Sequence, residues 1–227
     1  MFNKPSLMKR ILFSAFICMC AVASALAQIG IAVDLGLPSG TKWATCNIGA
    51  SLPEEFGDYF AWGEVEVKLW YSSAPYAWYT LAGETGHYTK YYLRRNSGTG
   101  FVDGLNELEE QDDVANVRWG KQWRIPSSAD LDELIMLCTW KWTKLNKVKG
   151  YTVIGPNGNS IFLPAAGMRM EYDLKYDNNG GYYYTRSLCK DSYNVNNADY
   201  LYFDRFDKAR RNITRFCGYT IRPVCYE

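Results

Sequence analysis

The chain has 227 residues, with 25 basic and 24 acidic side chains, one histidine and 48% apolar residues. That composition folds into a globule rather than staying disordered. A net charge of +1 excludes a general polyanion binder, and the single histidine, His87, excludes multi-histidine metal sites and most catalytic triads.

Residues 1–27 read as a secretory signal. Lys4, Lys9 and Arg10 precede an apolar run from Ile11 to Val22, and Ala25-Leu26-Ala27 forms a small-x-small cleavage site before Gln28. The run is shorter than the roughly 20 residues of a membrane span, and no second one follows. Residues 28–227 are therefore expected as a single domain without a membrane span, secreted or displayed at the cell surface. This mature chain carries 22 basic against 24 acidic residues and keeps Cys46, Cys138, Cys189, Cys217 and Cys225. These are too sparse for a disulfide scaffold, their odd number leaves at least one unpaired, and their spacing fixes no partners.

Strand-like pieces dominate the mature chain. Ile31–Leu35 and Lys42–Cys46 flank the turn signal Pro38-Ser39-Gly40, and Asp58–Trp62 reads as a short aromatic strand. Residues 64–110 lose periodicity and are rich in Tyr, Trp, Gly and Ser, which predicts a long surface excursion, either functional or a role-free insertion. A short helix is expected over Val114–Val117, capped by Asp112 or Asp113 and ended by Gly120. A second starts from Ser127 as N-cap with Asp130 three residues on. Leu131, Leu134, Ile135 and Cys138 then recur at helical spacing and predict one buried stripe. Tyr151–Ile154 and Ser160–Leu163 form a hairpin around Gly155-Pro156-Asn157-Gly158. Tyr182–Ser187, Asp199–Asp204 and Tyr219–Val224 are further strand candidates. Many short strands with two helices predict an α+β domain.

Five ordered segments resemble a known group: Val33-Asp-Leu-Gly-Leu-Pro-Ser-Gly-Thr-Lys-Trp-Ala-Thr-Cys-Asn-Ile-Gly-Ala50, Gly57-Asp-Tyr-Phe-Ala-Trp-Gly-Glu64, Trp119-Gly-Lys-Gln-Trp-Arg-Ile-Pro-Ser127, Asn159-Ser-Ile-Phe-Leu-Pro-Ala-Ala-Gly167 and Gly218-Tyr-Thr-Ile-Arg-Pro-Val224. The chain resembles the Fibrobacter major paralogous domain family of secreted gut Bacteroidetes proteins. The resemblance implies a C-type-lectin-like fold, shared with formylglycine-generating enzymes, whose two termini lie side by side in the sheet. It implies little about activity, because one fold hosts many functions. Within these motifs Trp43, Trp62, Trp119 and Trp123 read as core, and Arg124 and Arg222 as structural, bound to carboxylates or carbonyls.

Enzyme readings find little support. Formylglycine-generating relatives use a C-terminal cysteine pair a few residues apart to hold copper. Cys217 and Cys225 are eight apart with Arg222-Pro223 between them, so an oxidase is the weaker alternative. Glu54/Glu55, Glu109/Glu110 and Asp112/Asp113 are sequence neighbours rather than carboxylates spaced across a cleft. Asp173, Asp177, Asn178 and Asn179 offer hard oxygens for calcium, but Asn178-Asn179-Gly180-Gly181 reads first as a turn. No catalytic residue, metal ligand or cofactor is assigned.

Binding is the stronger expectation. Between Glu171 and Tyr219 lie nine Tyr, six Asn, six Asp and five Arg, the palette of recognition surfaces. Tyr182, Tyr184, Arg186, Tyr193, Asn194, Asn196 and Asn197 are expected to line one face, with Arg205, Lys208, Arg210, Arg211 and Arg215 adding positive charge. Tyr200 and Tyr202 alternate with Leu201 and Phe203, and the tyrosines are expected to face outward. The expected function is non-catalytic recognition of a glycan or protein at the cell surface through this Tyr/Asn/Arg face, with no nucleic acid as partner. Because some C-type-lectin-like proteins are variable targets of diversity-generating retroelements, the residue scatter between Tyr182 and Cys217 also fits such a protein. A structural surface protein without a dedicated ligand is the remaining alternative.

Overall fold

Two N-caps set the helices. Asp113 accepts hydrogen bonds from the N–H groups of Ala115 and Asn116 at the start of α1 (Val114–Trp119), which Gly120 closes. Ser127 and Asp130 form a reciprocal capping box at the head of α2 (Ser128–Leu137), a device worth about 1 kcal/mol. Helix α2 buries Leu131 and Leu134, while Ile135 and Cys138 sit half-buried against the same core. The computed structural model describes residues 30–82, 85–93, 102–190 and 197–226, so the expected signal of residues 1–27 lies outside the described residues.

Every strand pair is antiparallel. A four-stranded sheet runs in the order β1 (Ala32–Asp34), β2 (Lys42–Ala44), β14 (Val224–Cys225), β5 (Trp123–Arg124). In it Val224 stands between Trp43 and Arg124, so the beginning and end of the domain meet in one sheet. Two three-stranded meanders follow: β6 (Thr139–Leu145), β7 (Val148–Ile154) and β8 (Ser160–Pro164), then β11 (Gly181–Leu188), β12 (Ala198–Phe203) and β13 (Lys208–Ile213). Hairpins β3 (Tyr79–Ala82) with β4 (Thr85–Tyr88) and β9 (Met168–Met170) with β10 (Asp173–Lys175) complete the set. Among the described residues, short antiparallel sheets with two α-helices make the architecture α+β. Among the described residues no helix is long and apolar enough to cross a membrane.

The β11–β13 sheet is covered on both faces, and this decides what its tyrosines do. Leu201, Phe203 and Tyr183 point into one core with Trp43, Leu131, Leu134, Val153 and Val224. Tyr184 and Tyr200 point into the other, with Trp62, Trp119, Trp123 and Tyr219. The Tyr219 ring lies 4.5 Å from that of Tyr184 and 4.9 Å from that of Tyr200. Burial of four phenols is offset by a bond to a main-chain oxygen: Tyr183 to Pro164, Tyr184 to Cys217, Tyr59 to Ala166, Tyr76 to Trp62.

The four motif tryptophans and both arginines are structural, as expected. Trp43, Trp62, Trp119 and Trp123 are all buried. Arg222, 1% exposed, donates to Asn47 Oδ1 and to the carbonyls of Ala44, Thr45 and Phe162. Arg124 bridges to Asp130 at 2.6 Å.

Elsewhere the structure departs from expectation. Asp58–Trp62 is extended but makes only the isolated bridge Phe60↔Tyr219, with Trp62 N–H bonded to the Arg215 carbonyl. It is a buried connector between cores rather than a ladder strand. Residues 64–110 are not a surface excursion throughout: Tyr71, Tyr76, Tyr91, Tyr92 and Leu108 are buried and the hairpin β3–β4 lies within the segment. Of Tyr219–Val224 only Val224 enters a strand, because Tyr219 and Thr220 make single bridges to Phe60 and Tyr183. Strands β3, β4, β5, β6, β9, β10 and β13 were not foreseen.

Candidate binding site

The residues expected to form one recognition face are distributed over several environments. Tyr184, Tyr200 and Arg215 are interior, at 1%, 6% and 0% exposure. The expectation that they face solvent is corrected by the second core, which covers that side of the sheet. Arg215 donates to the Lys90 carbonyl and lies 3.7 Å over the Tyr88 ring. Arg186 is half-buried and bonded to the Leu108 carbonyl, and Asn197 donates to Asn212 Oδ1. Arg210 is tied to Asp132 and to the buried Asp199, at 2.8 Å each, which makes it a clamp between α2 and the sheet. Tyr193, Asn194 and Asn196 lie outside the described residues.

Four of the expected residues converge at one end of the sheet. Tyr182 and Tyr202 are cross-strand partners with ring centroids 5.4 Å apart, and the Arg211 guanidinium lies 3.8 Å over the Tyr202 ring. The exposed Tyr176 ring continues this ladder, 6.0 Å from Tyr182. Strand β12 then turns through Asp204 to Asp207. Asp204 Oδ1 accepts from the N–H groups of Phe206 and Asp207, and Oδ2 accepts from the Tyr202 hydroxyl at 2.8 Å. Burial opposes the charge on Asp204, but these bonds outweigh it and hold the carboxyl below its ordinary range, while burial and the Asp204 bond push the Tyr202 phenol up to about 12. The turn is thereby fixed, and it presents Arg205 and Phe206 to solvent; Phe206 is 89% exposed.

Beneath that turn opens a cleft of about 730 Å³, within the range of small-molecule and sugar sites. Strands β6 and β7 form its floor, with Trp142 anchored 5.1 Å from the Tyr151 ring and 6.4 Å from that of Phe203. Lys144, Lys149, Asn178, Asn179, Asp204, Arg205 and Phe206 complete its lining. Asn178, with a left-handed φ of 56°, accepts the Lys149 N–H through Oδ1 and so ties its turn to β7. Among the described residues of the expected face, Arg205 alone lines the cleft. Trp142, Lys144, Lys149 and Phe206 were missed. The signal available was the alternation Trp140-Lys141-Trp142 leading into the Asn146-Lys147 turn, whereas Asn178 and Asn179 read in the sequence only as metal ligands or a turn.

A smaller concavity of about 320 Å³ sits where Glu64 and Lys68 meet Trp78. Glu64 Oε1 takes the Lys68 ammonium and the Ala77 N–H there, so the pair reads as an internal brace. The cysteines that invited an oxidase comparison lie inside: Cys217 and Cys225 are 1% and 7% exposed, and burial pushes the Cys217 thiol up. No family model matches the chain, and neither a curated protein nor a solved structure matches it.

Proposed function

We propose that this is an exported, non-catalytic binding protein that recognises a glycan in the cleft between the β6–β7 hairpin and the Asp204–Asp207 turn. One observation carries the reading. A half-buried indole, Trp142, and an almost fully exposed phenyl ring, Phe206, share an open cleft with two amides, Asn178 and Asn179. Flat apolar faces for sugar C–H groups, beside fixed planar donors and acceptors for hydroxyls, are the chemistry a pyranose needs. An exposed ring as large as Phe206 is otherwise a cost to solubility.

The C-type-lectin-like arrangement belongs to the same proposal. It is supported by the pairing of β14 with β2, which brings the two ends of the domain together. The burial of Cys217 favours binding over oxidation, since a thiol pushed upward in pKa is a poor nucleophile and a poor metal ligand.

The test is a glycan array probed with the purified protein, with a protein array run in parallel. Retention on a restricted set of oligosaccharides that is lost in Trp142→Ala and Phe206→Ala supports the reading. Binding to proteins alone, unaffected by either substitution, removes it.

A further inference from the structure

The two lysines of the cleft are in an unfavourable place. Lys144 and Lys149 are direct cross-strand partners in the β6–β7 ladder, and like charges opposed across an antiparallel pair destabilise it. Neither forms an ion pair among the described residues. Arg205, which also lines the cleft, forms none either; its guanidinium rests 5.8 Å over the exposed Phe206 ring. The carboxylate in the cleft, Asp204, spends both oxygens on its own turn and on the Tyr202 hydroxyl. The cleft therefore holds three cationic side chains against one internally satisfied anion. Several cations elsewhere are compensated at close range: Lys68 with Glu64, Lys90 with Asp112, Arg118 with Asp58, Arg124 with Asp130 and Arg210 with Asp199. A local rule broken inside a cavity marks a functional position.

We infer that the cleft recognises an acidic glycan, seating its carboxylate or sulfate group between Lys144 and Lys149 with Arg205 as the third cation. This rests on the glycan reading above and names its ligand class. The anion relieves the repulsion between the lysines, the guanidinium offers a paired donor geometry for planar or tetrahedral oxyanions, and the sugar ring to which the acid is attached packs on Trp142 and Phe206. The charge belongs to the sugar rather than to a free ion, because the aromatic walls contribute nothing to a bare anion.

The experiment titrates the purified protein with four probes at low salt: a galacturonic acid hexamer, its methyl ester, a sulfated cello-oligosaccharide and its unsulfated parent. At least one acidic probe is expected to bind about tenfold or more tighter than its neutral counterpart, and which one does so distinguishes carboxylate from sulfate. The preference should vanish in Lys144→Gln/Lys149→Gln and shrink in 0.5 M salt. The same double variant should melt no lower than the parent, since it removes a repulsion. Equal binding of acidic and neutral probes overturns the anion seat while leaving the glycan reading intact. Binding of no sugar at all overturns both. A double variant that keeps the preference, or that melts well below the parent, also contradicts the assignment.

Discussion

Arg222 donates through Nε to Asn47 Oδ1 at 2.8 Å, with both residues fully enclosed. Three carbonyls, of Ala44, Thr45 and Phe162, take the remaining guanidinium bonds. This buried cation has no carboxylate among those partners; main-chain and amide dipoles solvate it instead, and burial pulls its pKa below the ordinary arginine value. The contact fastens the last segment of the chain to the loop after β2 and to β8. Arg222→Met, which leaves four acceptors unpaired, should lower unfolding free energy by about 3–5 kcal/mol, and Arg222→Lys should recover only part, since one ammonium cannot span the four acceptors. Urea melts decide the point; a loss under about 1 kcal/mol for Arg222→Met would refute the latch.

Stability should fall in acid through one identifiable group. Burial disfavours the charge on Asp130, but bonds from Arg124 and Ser127 outweigh it and hold its carboxyl at about 2, below the ordinary carboxyl range. A carboxyl depressed in the folded state contributes stability that is complete above its unfolded value and is lost as pH falls from about 4 towards 2. The contribution is about 2 kcal/mol. Asp130→Asn should flatten that limb of the stability–pH curve. An unchanged limb in the variant would assign the acid sensitivity elsewhere.

The β6–β7 turn carries avoidable strain. Asn146 and Lys147 both adopt positive φ, 46° and 74°, the conformation that favours Asn-Gly in two-residue hairpin turns. Lys147→Gly should stabilise the protein by about 0.5–1 kcal/mol. A lower melting temperature in this variant would mean that the Lys147 side chain has a structural role.

The interior placement of Tyr184 and the surface placement of Arg211 make opposite predictions. Tyr184→Ala removes a ring packed on Tyr219 and a hydroxyl bonded to the Cys217 carbonyl, and should cost about 3–5 kcal/mol. Arg211→Ala removes an exposed cation that pairs with Asp207 at 3.0 Å and should cost under about 1 kcal/mol. Comparable losses in thermal melts of the two variants would contradict the two-core description.

Capping and turn chemistry were legible in the sequence because they are local. Asp113, the Ser127–Asp130 box and the Gly155–Gly158 turn are each specified by a few neighbouring residues. The recognition face was less legible, because a tyrosine is both a core and a surface residue. Tyr184 and Tyr200 are buried where composition alone would place them outside. What decides is the second covering layer built around Trp62 and Tyr219, a long-range fact. Strand β13 carries Lys208, Arg210, Arg211 and Asn212 and shows no apolar alternation, since it is an edge strand of its sheet and its adjacent residues Arg210 and Arg211, on opposite faces, are both exposed. The cleft joins β6, the turn at Asn178 and the turn at Asp204 from separate parts of the chain, and no window of sequence contains it.

The most direct test of recognition in the cleft is the affinity of Phe206→Ala. The side chain is 89% exposed, so its removal should leave the melting temperature within about a degree of the parent, consistent with a surface change. Titrated with the tightest oligosaccharide from the array, the variant should bind about tenfold or more weakly at unchanged stability. Affinity equal to that of the parent would contradict the account.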